Sequence, residues 1–269
     1  KFYQSTEALL AAMAAGDVDL AKPVESATET IATIVPAIEA LKSSGYQYTS
    51  VPSGRIEALL LSYSKYSVFG PKSQYPTKTA RKIRNAFLKL VPRERIVDNV
   101  SIPVKLGRAD SFVYPNGSRY YTATIQNNGS AGYRIQDVEK AAELMARFNT
   151  LFGIRVNMVF DPNNFREAIV YNLISQNAKD AKIAFLNKSS ADYAKQIAKG
   201  DFDVYVTELP LAGTNTSALG SILTSHTGFK SKSVSDIIAS LANDPLGKNS
   251  SQSYADLDKA LFDSGYGLP

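Results

Sequence analysis

The sequence has no cysteine and no tryptophan in its 269 residues, and its one histidine is His226. Without cysteine the chain can form no disulfide, no thiolate metal site and no cysteine nucleophile. No apolar run approaches the roughly 20 residues of a membrane span. No group of carboxylates has the loop spacing of a calcium site, and no glycine-rich phosphate loop follows a predicted strand. We therefore expect neither a metal nor a cofactor.

The residues that are present suit a folded, basic protein. Apolar residues make up 44% of the chain, with 15 tyrosines and 12 phenylalanines, which is ample for a packed core. The length allows one large domain or a domain and a half. The formal net charge of +5 would suit an anionic partner such as nucleic acid or a cell envelope.

The segment 154–207 has the clearest secondary-structure pattern. Three apolar runs predict strands, and two runs with helical spacing lie between them. An asparagine after Asp161-Pro162 can cap the first of these helices, and Lys199-Gly200 ends the second. The three predicted strands are Ile154–Phe160, Lys182–Leu186 and Phe202–Val206. Strands alternating with helices of this length predict three parallel neighbours in one sheet, with right-handed crossovers.

The other elements are predicted from shorter patterns. A helix capped by Ser5 or Thr6 opens the chain, and others are predicted near 26–42, 77–91, 92–100, 136–152, 216–223, 233–241 and 254–262. Further strands are predicted at Val18–Leu20, Tyr46–Val51, Ile56–Tyr63 and Arg119–Gln126.

Four short motifs, in order along the chain, resemble one protein family. The most specific is Ser190-Ala191-Asp192-Tyr193 followed by Gly200-Asp201-Phe202-Asp203. The other three lie within Ser5–Asp19, Ala80–Val97 and Asp110–Pro115. Together they resemble the extracellular solute-binding proteins of family 5, the oligopeptide, dipeptide and nickel receptors of ABC importers. Three departures are Pro92, where the family usually has Asp, the extra positive charge of the same motif, and the lack of the Gly-Trp pair usual after the last of the three strands.

The resemblance implies an α/β fold similar to one lobe of a type II periplasmic-binding protein, with a mixed, largely parallel sheet flanked by helices. It implies an inter-lobe helical and strand segment at 1–45 and a C-terminal ligand-binding lobe at 46–269, with the N-terminal lobe missing. The implied function is capture of peptides or another small solute for an ABC importer, by hinge closure and not by catalysis. The implied partners are the permease subunits and the missing lobe, and the implied location is extracellular, as a cell-surface lipoprotein or a periplasmic protein.

Two segments are candidate walls of the ligand cleft. Ligands of open parallel sheets bind beyond the carboxyl ends of strands, which selects the loop after the third strand. The resemblance to the inter-lobe crossing selects the second segment. The candidates are Thr207, Glu208, Leu209 and Pro210 in the first, and Gly54, Arg55, Ile56 and Glu57 in the second. Glu208 could pair with a ligand amine and Arg55 with a ligand carboxylate; a surface carboxylate and an exposed salt bridge explain them nearly as well.

Two other functional classes stay open. A hydrolase would need His226 with Ser225 or another serine and a carboxylate, but the nucleophile-elbow motif is absent and a solvated loop histidine is the simpler interpretation. A nucleic-acid-binding domain would use a basic cluster, for which we favour an ordinary solvated helix face and therefore no nucleic-acid partner. The cluster consists of Lys78, Arg81, Lys82, Arg84, Lys89, Arg93 and Arg95.

Overall fold

A computed structural model describes residues 2–21, 31–49, 55–70, 77–100, 107–146, 154–210, 212 and 215–269. Its strands are β1 (Arg55–Leu61), β2 (Ile154–Met158), β3 (Ile183–Asn187), β4 (Val204–Pro210) and β5 (Gly267–Leu268). The helices of the first half are α1 (Thr6–Ala14), α2 (Ile31–Ser43), α3 (Thr77–Lys89), α4 (Arg93–Val100), α5 (Tyr121–Ile125) and α6 (Val138–Ala146), with a 3₁₀ turn at Ser130–Tyr133. Those of the second half are α7 (Phe165–Asp180), α8 (Tyr193–Lys199), α9 (Thr216–Ser221), α10 (Lys232–Asn243) and α11 (Ser250–Ser264), with a π turn at Ile222–His226.

One sheet holds all five of these strands, in the order β3-β2-β4-β1-β5. β2 pairs in parallel with both β3 and β4, so the predicted three-strand unit is confirmed. β1 runs antiparallel to β4 and to β5, which makes it the one strand of reversed direction among the five. The predicted fold class, a mixed and largely parallel sheet flanked by helices, is confirmed.

Helices pack along the sheet from its first strand to its last. Phe185 of β3 contacts Phe87 of α3 and Tyr171 of α7, with ring centroids 5.6 and 5.1 Å apart. At the other end of the strand order, α9 packs on β4 and α11 on β5. Tyr266, just before β5, is fully buried, and its hydroxyl donates to the carbonyl of Leu223 at 3.1 Å. One main core therefore includes residues from all five of these strands.

The Gly-Asp-Phe-Asp motif has a structural role. Asp203 is 2% exposed, and its carboxylate accepts hydrogen bonds from Ser67 Oγ at 2.7 Å and from the backbone N–H of Val68 at 3.0 Å. Its second oxygen accepts from the backbone and side-chain nitrogens of Asn157 at 2.8 and 3.1 Å. The motif thus ties the loop after β1 to β2 and β4, away from the strand ends where we predicted the ligand.

A second, smaller core lies between α1 and α2. Leu10 and Met13 of α1 are buried against Ile38 and Leu41 of α2, apart from the main core. Ser5 caps α1, because its Oγ accepts from the N–H of Ala8 at 3.0 Å, as predicted. We call this unit the α1–α2 hairpin and the sheet with its flanking helices the lobe. The predicted division at residues 45 and 46 stays a prediction.

Three predicted strands are wrong where the structure describes them. Arg119–Gln126 contains α5, because the buried Tyr121 turns inward and its hydroxyl accepts from the N–H of Asp110 at 3.0 Å. Residues 46–49 of the predicted Tyr46–Val51 strand form no strand, and the Tyr46 hydroxyl instead donates to the carbonyl of Met13 at 2.9 Å. Val18–Leu20 also forms no strand, and Leu20 is 88% exposed.

Candidate functional site

The two predicted cleft walls are partners in one pair of strands. Arg55 lies opposite Pro210, Ile56 opposite Leu209, Glu57 opposite Glu208, and Ala58 opposite Thr207. Segments about 150 residues apart in the chain are therefore hydrogen-bonded neighbours at one edge of the sheet. Gly54 lies outside the described residues, and only the backbone of Arg55 is described.

The register separates these residues into two groups. Directly opposite residues of an antiparallel pair point to the same face, and successive residues along one strand point to opposite faces. Ile56 and Leu209 are 3% and 0% exposed, so their side chains belong to the core. Glu57 is half-buried and Glu208 exposed on the other face. Of the predicted residues whose side chains are described, the two glutamates are the best placed to meet a ligand.

Other charged groups reach the same edge because of the strand directions. β2 and β4 are parallel, so Asp161, after β2, lies at the same edge as Glu208, near the carboxyl end of β4. α7 begins there, capped by Asn164, whose side chain accepts from the N–H groups of Arg166 and Glu167 at 3.1 and 3.3 Å. We call this set the acidic rim; it consists of Glu57, Asp161, Arg166, Glu167 and Glu208.

Charges in the acidic rim are close enough to influence one another. Arg166 Nη2 lies 3.1 Å from Glu57 Oε2 in a partly buried ion pair. Burial raises the pKa of Glu167 to about 7, and the negative charges of Glu57 and Asp161 add to this, although a hydrogen bond from the Asp161 N–H acts in the opposite direction. Four carboxyl groups thus accompany one arginine, an arrangement that favours a ligand amine or N–H donor. Near neutral pH the carboxyl group of Glu167 can also donate a hydrogen bond.

A cavity of about 270 Å³ lies beside the acidic rim, between β1, α4 and α7. Glu57 and Arg166 line it, as do Arg93 and Arg108. Its apolar lining includes Ile96, Val97, Val100, Val170, Val206 and Leu268. Mostly apolar walls with a few charged groups are typical of small-molecule pockets.

Sequence analysis missed Asp161, Arg166, Glu167, Arg93 and Arg108 as site residues. Asp161 could have been found, because it follows a predicted parallel strand just as Glu208 does. Glu167 lies in the first turn of a predicted helix that begins at the same edge. Arg93 was named only as a member of the basic cluster, and Arg108 carries no local signal; only the tertiary fold brings the two beside β1.

The basic cluster does not form one exposed surface. Arg84 and Arg93 are 6% and 5% exposed. Arg84 Nη1 donates to the carbonyl of Phe69 at 2.6 Å, and Arg93 Nη1 lies 3.0 Å from Asp110 Oδ1. Arg81 and Lys89 donate to the carbonyls of Asp263 and Gly132 at 2.8 and 3.2 Å. Much of the cluster therefore serves the fold, which weakens the case for nucleic acid.

The structure adds no support for the hydrolase alternative. His226 ends the π turn, but the side chains of Ser225 and His226 are not described. Within the described part of the chain, no group of three or more histidine, cysteine and acidic residues could hold a metal ion. The helices in that part include none that is long and apolar enough to cross a bilayer.

No protein-family model and no curated protein matches the chain. Solved structures do resemble it. The periplasmic EDTA-binding protein EppA superposes with a TM-score of 0.74 at 16% identity, over 100% of this chain and 51% of its own. The ABC transporter substrate-binding protein CtaP of Listeria monocytogenes gives 0.74 at 14% identity, with 100% and 52% covered. AppA of Clostridium difficile, proposed to bind peptides, gives 0.70 at 14%, with 98% and 52% covered.

These comparisons show the fold. The chain spans about half the length of the substrate-binding proteins that it resembles. Its likeness to them extends over nearly the whole chain, including the α1–α2 hairpin, so the architecture predicted from four short motifs is shared throughout.

Proposed function

We propose that this chain is a ligand-binding lobe of the substrate-binding component of an ABC importer. The observation that carries the proposal is the pairing of the two predicted walls, Glu57 opposite Glu208, at the sheet edge where α/β proteins bind ligands. The likeness to half of several substrate-binding proteins supports it. Such a component works outside the membrane, as a lipoprotein or a periplasmic protein, and delivers its ligand to the permease subunits. It captures the ligand by closure and needs no catalytic residue.

The ligand that we propose is a peptide or a similar small solute with an amine. Solved structures of this fold bear descriptions as different as EDTA-binding and peptide-binding, so the fold does not select a ligand. The acidic rim does favour one charge: its carboxylates would accept hydrogen bonds from an ammonium group, as charge-assisted pairs do. Arg55 remains a candidate partner for a ligand carboxylate.

A single lobe should bind weakly. Ligand pockets commonly enclose about 70–90% of a ligand's surface, and a cleft between two lobes divides those contacts. Loss of one wall removes a large part of the contacts while the entropic cost of capture remains. A ligand held at about 1 μM by two lobes would then fall to about 1 mM or weaker with this lobe alone.

Calorimetric titration of a mixed peptide library into the two-lobed protein tests the proposal. Glu57→Gln and Glu208→Gln should each weaken binding roughly tenfold or more, since a hydrogen bond to a charged group contributes about 1.5–3 kcal/mol. Glu139→Gln, at an exposed glutamate of α6, is the matched control and should have no effect. Peptide binding that is unchanged in both rim variants, or equally tight with this lobe alone, would overturn the proposal.

A further inference from the structure

An arginine cluster at the cavity between β1, α4 and α7 differs in charge from the acidic rim, although Glu57 and Arg166 of the rim also line the cavity. Arg93, Arg108 and Arg134 all surround Asp110, at 3.0, 2.9 and 3.4 Å. Arg108 holds this carboxylate with both Nε and Nη2, at 2.9 and 3.0 Å, and also pairs with Glu94, which is largely exposed. Three guanidinium groups therefore meet two side-chain carboxylates, so the side chains of this cluster have one positive charge in excess, and Arg93 Nη2 also donates to the oxygen of Pro269 at 3.0 Å.

Arg93 is the most deeply placed of these arginines. Its side chain is 4% exposed, and both terminal nitrogens donate to main-chain oxygens, whereas Nε is buried without a hydrogen-bond partner among the described residues. Burial lowers the pKa of Arg93 to about 10, even though the charge of Asp110 favours the protonated form. A buried, incompletely paired cation stabilises a nearby anion because the surroundings screen the attraction poorly.

The remaining walls of the cavity determine what can carry that anion. Ile96, Val97 and Val100 of α4 face it from one side, and Val170, Val206 and Leu268 from others. A volume of about 270 Å³ is just below the range of about 300–1,000 Å³ common for ligand pockets, so the occupant is small. Apolar walls select an apolar ring or short chain.

We propose that this cavity binds a small apolar carboxylate, with its ring or chain against α4 and α7 and its carboxylate toward Arg93 and Arg108. The carboxylate would neutralise the excess charge around Asp110, and Arg166, paired with Glu57 at 3.1 Å, offsets the carboxylate of Glu57 in the cavity lining. This site goes beyond the capture of an importer substrate and does not depend on it. A neutral amide or an amine of the same shape would lose the charge complementarity.

Titration with three probes of matched shape tests the proposal. 3-Phenylpropionate, 3-phenylpropionamide and 3-phenylpropylamine are added separately to the full chain, and binding is followed by calorimetry and by the shift in melting temperature. We expect the carboxylate to bind at least about tenfold more tightly than the amide, and the amine to bind no better than the amide, because a hydrogen bond to a charged group contributes about 1.5–3 kcal/mol.

Two variants locate the site. Val97→Trp should fill the cavity and abolish carboxylate binding, whereas Leu246→Trp, at an 82% exposed leucine, should not. Arg108→Gln should weaken the carboxylate about tenfold and leave the amide unchanged, with the exposed Arg155→Gln as its control. Far-UV circular dichroism checks that each variant folds. If Arg108→Gln does not fold, Val97→Trp alone tests the location of the site. No carboxylate binding, equal binding of acid and amide, or binding unaffected by Val97→Trp would each overturn the proposal.

Discussion

The α1–α2 hairpin and the lobe differ in how far along the chain their contacts reach. Leu10 and Met13 meet Ile38 and Leu41 within one short stretch of sequence. In the lobe β1 pairs with β4, and the Tyr63 hydroxyl donates a hydrogen bond to the carbonyl of Ser264 at 2.9 Å. These two residues are 201 positions apart in the sequence. Local contacts form readily but bury little surface, whereas non-local contacts close a large core. We therefore expect the hairpin to open locally at a lower free energy than the lobe unfolds.

The largest expected effect comes from a truncation in the main core. Phe87 is fully buried and its ring centroid lies 5.4 Å from that of Phe69. Phe87→Ala should lower the free energy of unfolding of the lobe by about 3–5 kcal/mol, because it leaves a cavity among aromatic rings. Urea denaturation followed by tyrosine fluorescence measures this loss.

A matched truncation in the hairpin makes the comparison. Leu41→Ala should increase hydrogen exchange within α1 and α2 and leave the urea midpoint of the lobe nearly unchanged. If Leu41→Ala lowers that midpoint as much as Phe87→Ala does, the hairpin and the lobe are one cooperative unit and the comparison fails.

The same difference in contact range explains what the sequence could predict. β2, α7, β3, α8 and β4 were predicted because period and capping are local: Asn164 begins α7, and Gly200 ends α8 in the left-handed conformation. β5 was not predicted, since Gly267 and Leu268 form a strand only by pairing with β1. α5 was mistaken for a strand because the side-chain pattern of Arg119–Gln126 does not report the contact from Tyr121 to Asp110.

The candidate site also has residues that local sequence could predict and contacts that only the tertiary fold determines. Glu57 and Glu208 could be selected from strand ends and from the family resemblance, but their pairing depends on the direction of β1, which no local pattern gives. Arg93 and Arg108 could not be selected as cavity residues from the sequence. Asp110, with which both form ion pairs, lies in a loop whose sequence has no periodic pattern. Whether the predicted residues bind a ligand stays a prediction.

The next prediction concerns the pH dependence of the stability of the lobe. Asp258 is fully buried, and its carboxylate accepts from the N–H of Phe112 and from Asn128 Nδ2, both at 2.6 Å. Burial raises the pKa of Asp258 from 3.8 to about 6, against the effect of these hydrogen bonds. Between those two pH values the folded state keeps a proton that the unfolded state has lost. The free energy of unfolding should therefore fall as pH rises through this window, by about 3 kcal/mol from Asp258.

Urea denaturation between pH 4 and pH 7 tests this sign. Asp258→Asn should reduce the decrease by about 3 kcal/mol, and Glu167→Gln, at a carboxyl whose pKa is raised from 4.5 to about 7, should reduce it by a similar amount at higher pH. Asp110 acts in the opposite direction: burial alone would raise its pKa, but the hydrogen bond from Arg108 and the nearby arginine charges hold it below its usual value. Asp258→Asn with an unchanged pH profile would show that this carboxyl keeps an ordinary pKa in the folded chain.

The smallest expected effect compares two helix caps of similar chemistry, one in each region. Ser5 Oγ accepts from the N–H of Ala8 at 3.0 Å at the start of α1, and Asn164 Oδ1 accepts from the N–H groups of Arg166 and Glu167 at the start of α7. Replacing such a cap with alanine usually costs about 1 kcal/mol.

The two caps should differ in where that loss is observed. Asn164→Ala should lower the global free energy of unfolding by about 1 kcal/mol, because α7 packs on β3 and its first turn forms only with the lobe. Ser5→Ala should leave the global value unchanged and instead speed hydrogen exchange in the first turns of α1 about fivefold, the same 1 kcal/mol expressed as local opening. Denaturation and exchange measured on both variants give the two readouts. A global loss from Ser5→Ala equal to that from Asn164→Ala would mean that the hairpin unfolds only when the lobe does, however short the range of its contacts.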